Sequence, residues 1–479
     1  MGAGDRDGAM RRTTTTLILL LAASAASTPV LAGSSADLVT NRSEAMPGLG
    51  AWSGVRSLRL GKGREVQPQK QLRVETSVDG YAASDLMGDA GGRVRIQQYK
   101  GHVRTVVHTP EYGTFLIKST PDGTTTITEL DVSNLRGCDA TSVPLVGVDG
   151  DGGGDPFGTP LPPIDGDAPD GDDGGVVDVM VAYTAGARIN AGSEDAMNTA
   201  IRSWVNQSNE VYRDSDSAVR IRLVGTEEVA YTPSGSYSTD LTRLAGTTDG
   251  FMDSIHDSRN ALGADIVVLV QADASGCGIG YTIKDDVTGV ASAAFAVVRD
   301  YCADVNYTFT HELGHVMGCC HDADHPGSCA GGNSLYVHSF GHRFFGDTGN
   351  WRTVMAYNDS SSDPWSPLIS YTRIGQLSNP DVDYDNTATG SADSDNAATH
   401  DTMRLVTAAY RSSVTPISCP GDVGEDAIVS VDDLLSMLHV WGEVSSSNDA
   451  SLRADLNGDA EVDSSDLFIL LAEFGPCPA

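Results

Sequence analysis

Thr310-His311-Glu312-Leu313-Gly314-His315-Val316-Met317-Gly318-Cys319-Cys320-His321-Asp322 is the stretch around which the rest of the chain is organised. Histidines at i and i+4 share one face of a helix, close enough for both imidazoles to hold a single zinc ion. If the helix ran on, His321 would lie about 9 Å further along the axis than His315, at about 1.5 Å per residue, whereas a zinc ligand sits about 2 Å from the metal. The chain must therefore turn back. Gly318 is placed for that turn, because glycine takes the left-handed conformation that ends a helix without the penalty of a Cβ. His311, His315 and His321 then leave one coordination position open. Glu312, next to the first of them, can reach a water there and take its proton. The pattern predicts a zinc hydrolase rather than an ordinary buried helix.

A methionine-bearing turn follows at Thr353-Val354-Met355-Ala356-Tyr357. The extended motif with this turn resembles the metzincin metallopeptidases, and the pair His321-Asp322 is similar to their reprolysin (adamalysin-like) branch. Residues 177–184, 229–232, 238–241 and 276–281 are similar to bacterial secreted members, including the peptidyl-Asp metalloendopeptidases, and the resemblance covers 176–411. It implies a secreted zinc endopeptidase in which His311, His315 and His321 bind Zn2+, Glu312 activates water and Met355 forms an apolar floor beneath the ligands. It implies further that 278–283 is the antiparallel edge of the sheet, to which an extended substrate adds as one more strand through free N–H and C=O groups. Tyr357 matches the astacin and serralysin pattern, in which a tyrosine approaches the metal, whereas typical reprolysins lack it. A phenol there could donate to a developing oxyanion.

Two rival readings stand beside this one. A thermolysin-like gluzincin would take a downstream glutamate as third ligand, and Gly318 with His321 argues against it. A binding or anchoring protein on the same scaffold, acting through its C-terminal tail, would have no use for an intact Glu312. His325, His338 and His342 are spare imidazoles, because the motif already supplies three ligands.

The composition frames the site. The chain has 479 residues and a formal charge of −34, unevenly spread: 33–146 holds 13 Lys+Arg against 12 Asp+Glu, and 147 onward holds 15 against 51. An acidic surface repels phosphate backbones, so nucleic acid is a poor partner, while Ca2+ and basic protein segments are favoured; plain solubility or adaptation to salt accounts for the charge equally well. Residues 1–32 read as a secretory signal, with Arg6, Arg11 and Arg12 ahead of an apolar run and Val30-Leu31-Ala32 at the cleavage site. No later stretch approaches the roughly 20 apolar residues of a transmembrane helix. The expected location is extracellular.

Five segments follow. After the signal comes 33–146, whose alternating runs at 92–99, 102–108, 113–118 and 124–130 predict a β-rich domain, in the position of a propeptide or else a permanent accessory domain. Residues 147–175, nearly all Gly, Pro and Asp, form an acidic linker. Residues 176–413 alternate strand and helix, predicting an α/β (α+β) catalytic domain with a mixed, mostly parallel twisted sheet. There Ser193 caps a helix with Met197, Ile201, Trp204, Val205, Ser208 and Val211 on one stripe. The last segment, 419–479, contains a 33-residue duplication that resembles a dockerin-like module, a small all-α EF-hand-like fold. Its second loop offers Asp455, Asn457, Asp459, the Glu461 backbone, Asp463 and Asp466 to Ca2+. The first offers Asp422, Asp426, the Ile428 backbone, Ser430 and Asp433, and Gly424 removes one side-chain ligand. Leu434, Leu435, Leu438 and Trp441 are expected to pack against Leu467, Leu470, Leu471 and Phe474. Either a cohesin-like partner docks on this module, or it is a calcium-stabilised tail.

Eight cysteines in an exported chain predict disulfides. Cysteine arithmetic suggests Cys277 with Cys302, linking the edge strand to its neighbour, Cys329 with Cys319 or Cys320, and Cys419 with Cys477 closing the tail. Cys138 is left over with one active-site cysteine. Its thiolate either takes the fourth zinc position, as a propeptide cysteine does in other metzincins, or the two leftovers bond. The linker holds eight Asp from Asp149 to Asp173 and no Lys or Arg, so cleavage before Asp would make it the enzyme's own substrate. Arg352 or Arg373 would suit a pocket for that carboxylate.

Overall fold

The computed structural model describes residues 58–61, 64–66, 68–76, 82–88, 92–109, 112–122, 124–130, 145–146, 176–272, 276–285, 288–358, 369–414, 421–423, 428–443, 449–456, 461–472 and 474–476. The expected signal, the linker, Cys138, Cys419 and Cys477, and the loop residues Asp426, Asn457 and Asp459 lie outside the described residues.

A five-stranded sheet organises residues 176–413. Its order is Ile221–Val229, Val177–Thr184, Ile266–Gln271, Phe295–Arg299 and Gly278–Gly280. The first three pairings are parallel, and Gly278–Gly280 joins as the antiparallel edge. The central strands Val177–Thr184 and Ile266–Gln271 are buried along their whole length, because a parallel sheet is covered on both faces. The outer strand Ile221–Val229 is half-buried for most of its length and carries Thr226, Glu227 and Glu228. Helix Glu194–Asp214 begins where Ser193 accepts a hydrogen bond from the Ala196 amide, and its predicted stripe, Met197 to Val211, is buried. Helix Thr308–Val316 carries the first two histidines, and helix Asn396–Ala408, capped by Asp395, closes the domain. Two short helices, Ala185–Ala191 and Tyr237–Ala245, were not anticipated. Thr184 and Ser236 cap them, but neither is long enough to show a repeating apolar face.

Ahead of this domain a six-stranded antiparallel meander runs in sequence order from Pro68–Thr76 to Thr125–Leu130. It docks on helix Glu194–Asp214 and on Asp304, ahead of helix Thr308–Val316, through oppositely charged side chains. Arg104 makes two bonds to Asp304 at 2.7 and 2.9 Å, Arg95 bonds Glu210, Arg93 bonds Asp214 at 2.8 Å, and Lys100 bonds Asp195 at 3.0 Å. Every cation of this set is on the meander and every anion is on the domain that follows it. The first two pairs are buried. Val106, Leu116 and Leu130 close around Val305 beside them, and the His108 ring stacks on Tyr307 with centroids 6.0 Å apart. Further on, Leu145–Val146 pairs in parallel with Thr282–Ile283, next to the sheet edge.

The C-terminal residues differ from expectation. Three helices, Val431–His439, Asp449–Ala454 and Ser464–Ala472, are joined by two short ladders, Ile428–Val429 with Gly475–Pro476 and Gly442–Glu443 with Glu461–Val462, so the fold is not purely helical. The expected apolar packing also needs correction. Met437, Leu470, Val429, Val462 and Ala454 form the core with Leu434 and Leu467 against it, whereas Leu435, Leu438, Trp441, Leu471 and Phe474 are exposed. Short helices braced by ladders present one narrow face inward, and the remaining apolar positions fall outside it. Among the described residues no helix is long and apolar enough to cross a membrane.

The docking of the meander generates a pH prediction. Burial, then the charges of Arg95 and Arg93, hold the His108 pKa down to about 3, with Asp304 opposing. His108 is therefore neutral when docked, and a released imidazole titrates near about 6.5. Stability is full above that value and is lost as pH falls through it, before carboxylates protonate near about 4. The melting temperature should fall more between pH 7 and pH 5 for wild type than for His108→Phe. Parallel falls in the two proteins would show that this histidine is not responsible.

Candidate metal centre and active site

Helix Thr308–Val316 starts abruptly. Tyr307, its first flanking residue, is left-handed (φ 54°), and the chain enters the helix under the docked meander. At the other end Gly318 is left-handed (φ 86°), its amide bonding the His315 carbonyl at 3.0 Å while the Cys319 amide bonds the Gly314 carbonyl at 2.8 Å. This is the reversal the sequence required. The chain then returns as strand Cys320–Asp322 beside Phe340–Gly341, and a Cys320–Cys329 disulfide anchors it one residue before His321.

The three imidazoles meet. His321 Nε2 lies 3.2 Å from His311 Nε2 and 3.0 Å from His315 Nε2. Ligands bound at about 2.0–2.1 Å in a tetrahedron place their nitrogens about 3.3 Å apart, so a zinc ion fits among them. Two of the outer ring nitrogens are fixed by backbone: His311 Nδ1 faces the Val354 carbonyl at 2.9 Å, and His315 Nδ1 faces the Cys319 carbonyl at 2.8 Å. With the proton on Nδ1, each Nε2 presents a lone pair inward. Burial drives the pKa of all three well down, to about 4 for His315, so the neutral, ligating form is held in the interior. Among the described residues these histidines are the one group of three or more metal-ligating side chains whose atoms converge.

Tight contacts surround the cluster. A Cβ on Gly278 would meet Glu312 Oε1 at 2.5 Å, and one on Gly280 would meet the Glu312 carbonyl oxygen at 2.9 Å. Both edge-strand glycines therefore make room for Glu312, an account the sequence alone did not supply. Gly314 likewise admits Met355, whose Sδ would lie 2.6 Å from an added Cβ, which brings the methionine turn under the helix as expected. The Tyr357 ring stacks on His321 with centroids 4.2 Å apart. Asp322 joins these parts: its carboxylate accepts from the Tyr357 amide at 2.8 Å and from His325 Nδ1 at 2.9 Å, and Arg343 lies 3.3 Å away. The sequence reading used Asp322 only as a family mark; its place directly after His321 was the available signal.

The remaining candidates divide. His338 stacks on Tyr336 and His342 on Phe344, so neither enters the cluster. Cys277 pairs with Cys302, and of the two candidates for Cys329 it is Cys320 that bonds. Cys319 is free and buried, its thiol 3.7 Å from the Asn396 carbonyl. Arg352 donates to the carbonyls of Tyr371 and Ala356, and Arg373 to those of Asn306 and Ala356. In the calcium-loop candidates, Asp466 accepts from the amides of Leu456 and Asp463, and Asp433 accepts from the Ser430 amide. The described members of those loops form no converging ligand cluster of their own.

The profile of the family described as Metallo-peptidase family M12B Reprolysin-like matches residues 174–409. The chain is 35% identical over 229 residues to the peptidyl-Asp metalloendopeptidase of Stenotrophomonas maltophilia strain K279a, which covers 48% of this chain and 49% of that protein. With the protein of the same name from strain R551-3 it shares 36% identity over 236 residues, 49% of this chain and 52% of the other. The chain thus spans about half the length of these two relatives. With the peptidyl-Asp metalloendopeptidase of Pseudomonas fragi it is 33% identical over 179 residues, 37% of this chain and 86% of that protein.

The turn at Gly318 can be tested by one methyl group. A Cβ there would overlap Leu335 Cδ2, and a left-handed alanine costs about 1–2 kcal/mol before any overlap is counted. Gly318→Ala should lower both the melting temperature and the zinc bound per chain, measured by atomic absorption after dialysis. Unchanged values would mean that His321 is not seated by this turn.

Proposed function

Because the chain belongs to the reprolysin-like M12B metallopeptidase family, we propose that it is a secreted zinc-dependent endopeptidase, made as a latent precursor, with a preference for peptide bonds before aspartate. The observation that carries the reading is the convergence of three inward-facing imidazole nitrogens at 3.0–3.2 Å, with Glu312 on the same helix. His311, His315 and His321 hold the metal. Zinc bound there supplies Lewis-acid polarisation of the scissile carbonyl and lowers the pKa of a water to about 7. Glu312 takes the proton from that water and delivers it to the departing amine. Its carboxylate is confined by Gly278, so little reorientation is needed at the moment of transfer. Tyr357, braced on His321, donates to the developing oxyanion, and Met355 supports the ligands from below.

The edge strand Gly278–Gly280 aligns the substrate backbone. Support for latency comes from the parallel pairing of Leu145–Val146 with Thr282–Ile283, beside that edge, and from the ionic docking of the meander. In the precursor the Cys138 thiolate would be a further ligand to that metal and keep water from it. The preference for aspartate rests on relatives of 33–36% identity whose names specify it, and it makes the Asp-rich linker a site of self-cleavage. The C-terminal loops, through Asp455, Asn457, Asp459, Glu461, Asp463 and Asp466 and the weaker set from Asp422 to Asp433, bind Ca2+, and the module docks on a cohesin-like partner.

Glu312→Gln separates binding from chemistry. Zinc content should be kept while casein hydrolysis drops by at least about 100-fold, the usual scale for a lost general base. Residual cleavage close to wild type would remove Glu312 from its role. Sequencing the mature N-terminus of both proteins tests maturation. A terminus at a linker aspartate in the active protein alone supports self-cleavage, and identical processing in both refutes it.

A further inference from the structure

One of the three spare imidazoles touches the site. His338 and His342 stack on Tyr336 and Phe344, whereas the His325 ring lies 5.9 Å from the Tyr357 ring, centroid to centroid, and is tilted to it by 53°. The same phenol ring stacks on His321 at 4.2 Å, so Tyr357 has as neighbours one imidazole of the ligand set and one outside it. His325 is itself firmly held. Its amide bonds the Asp322 carbonyl at 2.9 Å, which makes 322–325 a tight turn, and its Nδ1 bonds the Asp322 carboxylate, also at 2.9 Å. That carboxylate is 5% exposed, and Arg343 at 3.3 Å gives it a counter-charge. The turn lies inside the loop closed by the Cys320–Cys329 disulfide, and Pro326 directly after His325 limits the backbone further. The imidazole cannot swing away without breaking a bond to a buried carboxylate.

One side chain thereby ties three parts together. Asp322 directly follows the third histidine, its Oδ2 accepts from the Tyr357 amide at 2.8 Å, and its Oδ1 accepts from His325. A phenol that donates to a developing oxyanion acts only if its hydroxyl is already aimed when the charge appears, since reorientation during the step cancels what the hydrogen bond gives. The amide bond to Asp322 fixes the Tyr357 backbone but not the direction of its half-buried ring. Ring contacts have to set that direction. Of the three imidazoles beside the phenol, His311 and His321 turn a nitrogen to the metal position, and His325 is the one left to serve the phenol. Supporting groups that lock a functional side chain in this way govern rate through geometry rather than through contact with substrate.

We propose that His325, clamped by Asp322, is a positioning residue that holds the Tyr357 phenol in line for the oxyanion. The proposal rests on the endopeptidase reading with Tyr357 as oxyanion donor, and a double-mutant cycle keeps the two apart. Wild type, Tyr357→Phe, His325→Ala and the double variant are each activated at a protease site introduced into the linker, so that maturation does not depend on the variant. For each, kcat and KM on one quenched fluorescent peptide and zinc per chain are measured. A wild type that cleaves no peptide defeats the endopeptidase reading, and an unchanged kcat in Tyr357→Phe defeats the donor reading. If Tyr357→Phe lowers kcat about 100-fold, the scale of one lost oxyanion donor, His325→Ala should lower it about 10-fold with KM and zinc unchanged. In the Tyr357→Phe background His325→Ala should then have no further effect, because the group it aims is gone. An equal loss in both backgrounds, a loss confined to KM, or no loss overturns the proposal. Should His325→Ala fail to hold zinc, His325→Asn takes its place in the cycle, keeping a side-chain N–H for Asp322 while removing the ring. Loss of zinc in both variants makes His325 a brace for the ligands and overturns the proposal as well.

Discussion

Three neutral imidazole nitrogens held about 3 Å apart are a constraint that little else in the molecule escapes. Their lone pairs point at one another, so the arrangement is unfavourable until a cation sits among them, and the protein must hold it in place until then. It does so with backbone. Carbonyls of Val354 and Cys319 fix two rings, the left-handed Gly318 brings the third ligand back, and Gly314, Gly278 and Gly280 let the methionine turn and the edge strand close to contact distance. Of these four glycines, two in the motif and two on the edge strand, only Gly318 is there for its own conformation. The others are there because a Cβ would not fit.

Charge organises the next layer. The catalytic domain is acidic, and the meander before it brings arginine and lysine to helix Glu194–Asp214 and to Asp304. Two of these pairs are buried. Such pairs contribute little net stability over apolar contacts of the same size, but they penalise a misplaced partner severely. They therefore fix where the meander sits rather than how tightly it holds. Its seat includes Tyr307, clasped between His108 and Arg95 at the entry to the histidine helix.

Much of this was legible in the chain. Offsets of four and six residues with an intervening glycine specified the cluster, and Ser193 with its apolar stripe specified the longest helix, because both depend on local geometry. Runs such as Ile266–Gln271 read as buried strands through their unbroken apolar character. The choice of Cys320 over Cys319 was not legible, since adjacent cysteines point in opposite directions only once a strand has formed. Nor was the opposition of Arg352 and Arg373, which are twenty-one positions apart and meet only through strand register. In the C-terminal segment the heptad-like leucines overstated the core, because hydrophobicity alone does not say which face the short ladders leave uncovered.

The Cys320–Cys329 bridge closes a loop nine residues apart in sequence, immediately before the third ligand. Without it His321 would lose its covalent tether and keep the short ladder to Phe340–Gly341, the Tyr357 ring and the contacts of Asp322. Rigid seating of that histidine is thus coupled to an oxidant. Under reducing conditions the thiols stay apart, and the third ligand lacks that covalent tether until they are oxidised. Oxidation is then a condition for a complete, firmly seated ligand set, independent of any contact made by the meander.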